Sequence, residues 1–171
     1  MSASDSGTEG LHVLVEIPKG SRNKYEFDPR LGAIRLDRFL FSSVVYPTDY
    51  GFIPDTLAGD GDPLDAVICV SEPTFPGCVI MVNAIGLLEM CDEKGEDEKI
   101  LCVPQRDPNW TGIERVEDLP EQLRSEIANF FQIYKQLESK DVEVVGWRPR
   151  ETAYEAIERA RARWREQPGP S

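Results

Sequence analysis

The chain has 171 residues, 40% of them hydrophobic, and a formal net charge of −12 with a pI near 4.6. That length and apolar content suit one domain able to bury a core without disulfides or a structural metal, and the acidity excludes functions that rest on basic surface, such as non-specific nucleic-acid or anionic-membrane binding. Cys69, Cys78, Cys91 and Cys102 form no CxxC pair and His12 is the only histidine, so a zinc site would be almost without ligands.

Residues 1–10 and 166–171 have the small, polar composition of disordered tails, which leaves residues 11–165 as a single expected domain. With no basic-then-apolar leader and no run of membrane-spanning length, a cytoplasmic protein is expected. Strand-like runs follow one another at 11–17, 24–27, 33–40, 64–70, 79–88, 99–103 and 142–147, separated by Gly, Pro and Asp, and predict a small barrel or closed sheet. Asp118 as a cap, Pro120 in the opening turn, and Leu123, Ile127, Phe130, Tyr134 and Leu137 at helical intervals predict a first helix lying on that sheet. Ala153, Ala156, Ile157, Ala160 and Trp164 make the weaker stripe of a second, with Arg159, Arg161, Arg163 and Arg165 turned to solvent.

The chemistry is concentrated in Asp60-Gly61-Asp62-Pro63-Leu64-Asp65, three carboxylates on a stiff loop that runs into an apolar strand. Carboxylates this close must hold protons or recruit hard cations such as Mg²⁺. An EF-hand is excluded by register, since counting from Asp60 puts Asp65 where the turn glycine belongs and Ser71 where the bidentate glutamate should be. A second acidic stretch, from Asp92 to Lys99 around Gly95, reads alone as a solvated hairpin. Glu16 closes the first strand, and Lys24 and Glu26 share one face of the second by period-two geometry. Asp37-Arg38 and the stretch from Tyr46 to Phe52 read alone as a surface ion pair and a packed turn.

In chain order, Glu16-Ile17-Pro18, Lys24-Tyr25-Glu26, Asp37-Arg38, Tyr46-Pro47-x-x-Tyr50-Gly51, the Asp60 hexapeptide, Asp92-Glu93-x-Gly95-x-Asp97-x-Lys99 and Phe130-Phe131-x-x-Tyr134-Lys135 resemble the soluble family I inorganic pyrophosphatases of bacterial type. The resemblance spans residues 11 to about 147. It implies a mainly β, α+β fold, an OB-like five-stranded β-barrel with two flanking helices in the C-terminal half. It also implies hydrolysis of inorganic diphosphate with several Mg²⁺ ions, Mn²⁺ or Zn²⁺ being substitutes, in a homohexamer. By motif position it makes Asp60, Asp65, Asp92 and Asp97 the principal metal ligands and gives Glu16 and Glu26 to an outer ion. Asp62 is the favoured base for the attacking water, with Asp97 kept beside it. Lys24, Arg38, Lys99 and Lys135 become a cationic clamp on phosphate, Tyr50 and Tyr134 hydroxyl donors, and Tyr46 a residue behind them. Asn83, Asn129 and Ile133 depart from residues common in the family, which bears on subunit contacts more than on activity. Two other readings are an OB-like module that binds nucleic acid or protein, the net charge disfavouring nucleic acid, and a metal-dependent hydrolase of nucleotides or organic phosphates, with no Gly-rich phosphate loop present to favour nucleotides.

Overall fold

The structure, a computed structural model, describes residues 10–168, so the expected tails fall outside it at residues 1–9 and 169–171. Its strands are β1 (Leu11–Ile17), β2 (Asn23–Asp28), β3 (Ala33–Phe39), β4 (Asp49–Phe52), β5 (Asp65–Ile68), β6 (Val79–Asp92), β7 (Gly95–Pro104) and β8 (Glu143–Pro149). The helices are α1 (Glu121–Ile133) and α2 (Arg150–Arg165). β1 pairs with both β4 and β6, and β5 and β7 complete the circuit, so five strands close into a ring with β5–β7 its parallel pair. β8 adds to the far half of β6, while β2 and β3 form a separate hairpin. Closure removes the exposed edges that an open sheet of this size would carry.

The period-two pattern explains how two cores fit around one ring. In β7, Leu101 and Val103 join the cluster packed by α1, whereas Ile100 and Cys102 join the cluster packed by Ala153, Ala156, Ile157 and Ala160 of α2. A strand buried on both faces reads as a continuous apolar run, as residues 100–103 do.

Several boundaries differ from the sequence expectation. The stretch read as a packed turn contains β4, whose Gly51 lies so close to Leu14 that a Cβ would run into the Leu14 carbonyl. β6 and β7 extend through the acidic stretch and leave only Glu93 and Lys94 as the turn, because Asp92 pairs with Gly95 (φ 109°). Asp118 does not cap α1: its Oδ2 accepts from the Glu114 and Arg115 N–H groups at 3.0 and 3.1 Å, and Pro120 stands at the helix N-cap. Leu137 is 66% exposed, because the chain tightens after Tyr134 into a 3₁₀ turn at Gln136–Glu138 and rotates it off the apolar stripe. Trp164, on the last turn of α2, is likewise exposed.

Candidate active site

The acidic residues reach one region from four directions. Asp65 opens β5 and is paired in register with Lys99 of β7; Asp97, two residues before Lys99, shares its face. Lys99 is 2% exposed, and its Nζ lies 3.1 Å from Asp65 Oδ2 and 3.2 Å from Asp97 Oδ2 while donating to Tyr50 Oη at 2.8 Å. It also sits over the Tyr50 and Phe131 rings, 5.1 and 5.2 Å from their centroids. Burial opposes its charge, but Asp65, Tyr50 and Asp97 outweigh burial and hold the ammonium well above its ordinary value.

Glu16 lies where the β1–β4 register shifts between Val15 and Ile17, and its Oε2 accepts from Phe27 N–H at 2.9 Å, tying the ring to the β2–β3 hairpin. Burial above all, with Asp65 and Glu26 adding repulsion, raises its carboxyl to about 7. Asp60 and Asp62 are exposed on their loop, where Asp60 Oδ1 accepts Asp62 N–H at 2.9 Å and Gly61 takes φ 87°. Asp62 is raised by burial and then by Asp60, with Lys94, Glu26 and Lys24 also in its field. Asp97 is raised by burial; Lys99 opposes that shift, and Asp65 and Asp92 add to it. Asp92 closes its own turn by accepting Lys94 N–H at 2.8 Å. Among the described residues no three carboxylate, thiol or imidazole groups meet closely enough to grip one ion as they stand. Asp65 and Asp97 have the Lys99 ammonium between them.

The cations come from other elements. Lys24 and Arg38 are register partners in the hairpin, with Asp37 as the extra residue of a bulge. Asp37 Oδ2 binds Lys24 Nζ at 3.1 Å and Arg38 Nη1 at 3.3 Å. Burial would raise Asp37, but the Lys24 hydrogen bond and the nearby cations prevail and lower it. Lys135 follows α1, its Nζ 5.3 Å from the Tyr134 ring centroid; burial leads in lowering its value, Lys99 and Lys24 add to that, and Glu93 and Asp92 oppose. Tyr46, Tyr50, Phe130, Phe131 and Tyr134 pack ring to ring beneath these charges, with centroids 4.5 to 5.9 Å apart. Burial raises Tyr50 well above its ordinary value and Tyr134 to about 12, so both stay protonated donors at neutral pH.

Thus the sequence-derived residues converge, in space or through their fields, although Glu26 pairs outward with Arg35 at 3.7 Å. Sequence reasoning missed Glu138, whose Oε1 lies 2.7 Å from Arg38 Nε, and the role of Phe131 under Lys99. No local sequence signal pointed to either contact, because each joins residues distant in the chain.

The family model for inorganic pyrophosphatase matches residues 13–165. Among curated relatives, an inorganic pyrophosphatase of Methanosarcina mazei is 61% identical over 155 residues, covering 91% of this chain and 92% of the relative. One from Streptomyces coelicolor is 52% identical, covering 92% and 97%. The crystal structure of inorganic pyrophosphatase from Thermus thermophilus superposes with a TM-score of 0.90 at 46% identity, covering 96% of this chain and 97% of that one.

Proposed function

The chain belongs to the inorganic pyrophosphatase family, and we propose that this site hydrolyses inorganic diphosphate to two phosphates with the help of several Mg²⁺ ions. The observation that carries the reading is Lys99, a buried cation fixed between two carboxylates at 3.1 and 3.2 Å, with Lys24, Arg38 and Lys135 in the same field. A polyanionic substrate needs cations on both sides, and the two walls of this site divide that work.

Glu16, Glu26, Asp60, Asp65, Asp92 and Asp97 are the residues that would hold the ions. Their donors are all carboxylate oxygens, the set that suits a hard cation, with Mn²⁺ or Zn²⁺ as substitutes. The fit is electrostatic as well: Glu16 and Asp97 are raised by burial and by neighbouring carboxylates, an excess of negative charge that cations relieve. When bound, Mg²⁺ neutralises diphosphate oxygens and acidifies the attacking water, lowering its pKa from about 15.7 toward about 7.

The chain's own groups do the rest. Asp62 makes no side-chain hydrogen bond among the described residues, whereas Asp97 is engaged by Lys99 at 3.2 Å, which favours Asp62 as the acceptor of the water's proton and leaves Asp97 second. Lys24, Arg38, Lys99 and Lys135, with the Tyr50 and Tyr134 hydroxyls, orient the phosphoryl groups and meet charge that develops on the transferring and departing oxygens.

Residues 11–165 form the catalytic unit in this reading, and the protein works in the cytoplasm as a homohexamer. Four free cysteines suit a reducing compartment, and exposed Phe39, Phe41, Phe75 and Val79 suit subunit contact. No described helix is long and apolar enough to cross a membrane.

The test is phosphate release from diphosphate with and without Mg²⁺. Wild type should turn over only with metal, and Asp65→Ala should lose at least about a hundredfold in kcat while remaining folded. Folded, metal-saturated wild type that leaves diphosphate intact overturns the reading.

A further inference from the structure

Three buried polar atoms on the cationic wall have no hydrogen-bond partner. Arg38 and Glu138 form an ion pair with Nε and Oε1 2.7 Å apart, yet Arg38 Nη2 and Glu138 Oε2 are both shut from solvent without a hydrogen bond. Arg38 Nε also lacks an aligned acceptor, so the contact is an attraction of charges rather than a directed hydrogen bond. Buried donors are nearly always satisfied, and an orphan in a native fold asks for a reason.

A purely structural salt bridge would serve its purpose better as a two-pronged fork, with both guanidinium edges donating to both carboxylate oxygens. Here Arg38 is held from two sides, by a hydrogen bond at Nη1 and by charge alone at Nε. Asp37 Oδ2 takes Nη1 at 3.3 Å while also holding Lys24 at 3.1 Å, and Glu138, with its side chain 7% exposed, approaches the Nε edge.

Glu138 reaches Arg38 from the element that carries another cation. It ends the Gln136–Glu138 turn, whose N-cap is Lys135, and its N–H bonds to the Lys135 carbonyl at 3.0 Å. Ser139 turns the chain away in the left-handed region at φ 57°. One short turn therefore fixes Lys135 and places the Glu138 carboxylate against a residue of the β2–β3 hairpin. The same contact ties the hairpin, which is separate from the five-strand ring, to the end of α1.

We propose that Glu138 is a positioning residue for diphosphate hydrolysis, holding the Arg38 guanidinium at the cationic wall in the orientation in which it meets a phosphoryl oxygen when substrate arrives. This rests on the function proposed above. Glu138 itself touches no substrate; it acts through Arg38, and its worth is orientation. A cation displaced by about 1 Å can lose about a hundredfold in rate.

The experiment is a double-mutant cycle with Mg²⁺-saturated protein, measuring kcat and KM for diphosphate in wild type, Arg38→Ala, Glu138→Gln and the double variant, with melting midpoints recorded. Glu138→Gln should lower kcat/KM about 10- to 100-fold when Arg38 is present, mostly through kcat, and by less than about twofold when Arg38 is already alanine. Glu138→Asp, which keeps the charge but withdraws it by one methylene, should fall between wild type and Glu138→Gln. It also carries the same cycle should Glu138→Gln fail to fold. Equal losses in both Arg38 backgrounds, or no loss from either Glu138 variant, overturn the proposal. Inactive wild type would instead overturn the functional reading, so the two failures are distinguishable.

Discussion

Glu16 offers a direct measurement of what burial does to a carboxylate of the acidic wall. Glu16 is 9% exposed, and its carboxyl is raised from 4.5 to about 7 chiefly by burial, against the pull of Phe27 N–H and Lys24. With the unfolded carboxyl at its ordinary value, the metal-free native chain holds a proton through that interval which the unfolded chain has released. Stability therefore falls as pH rises from about 4.5 to about 7, because there the native state binds more protons. At about 1.4 kcal/mol per pH unit the fall reaches about 3 kcal/mol. Glu16→Gln keeps an acceptor for Phe27 N–H but cannot titrate. Urea unfolding of chelator-treated protein, followed by tryptophan fluorescence at pH 5 and pH 8, should show the variant gaining on wild type by about 2 to 3 kcal/mol between the two conditions. Adding Mg²⁺ at pH 8 should stabilise wild type more than the variant. A gap that stays constant from pH 5 to pH 8 would refute the burial argument.

Lys99→Met removes the only cation lying between Asp65 and Asp97 among the described residues, leaving two carboxylates that are 32% and 22% exposed. Breaking a buried pair this way costs about 3 to 5 kcal/mol, and the partners' partial exposure puts the expected loss near the lower figure. Urea midpoints without metal check it, and a variant as stable as wild type contradicts the placement of Lys99. Gly51→Ala drives a Cβ into the Leu14 carbonyl, where backbone rather than a flexible side chain must give. A loss of about 3 kcal/mol is expected in the same assay, and an unchanged midpoint would mean that β1 and β4 do not approach as described.

The parts of this protein legible in its sequence are those governed by period and composition. The runs at 11–17 and 142–147 read as strands because alternating or β-branched residues fill them, and α2 is legible because three alanines and an isoleucine return at helical spacing. β4 was not legible, since Asp49-Tyr50-Gly51-Phe52 is short and its glycine serves a neighbour's backbone rather than a side-chain pattern. The site residues were legible as types and as motifs, but their partners were not. Glu138 meets Arg38 across a hundred residues of chain, and no local rule connects them.

The register shifts show why spacing alone falls short at such a site. Leu11 and Val13 of β1 enter one core and Ile17 enters the other, with the irregularity at Val15 and Ile17 between them. A bulge re-aims the side chains around it, and here the residue at the bend is Glu16. The second shift, at Lys24 and Tyr25 opposite the β3 segment from Leu36 to Arg38, inserts Asp37 between residues that would otherwise pair evenly. That extra carboxylate is what holds Lys24 and Arg38 at 3.1 and 3.3 Å. Straightening either strand would preserve its hydrophobic alternation while turning a charged group away from the cleft. The two irregularities thus place one member of each wall, the carboxylate on the acidic side and the paired cations opposite it.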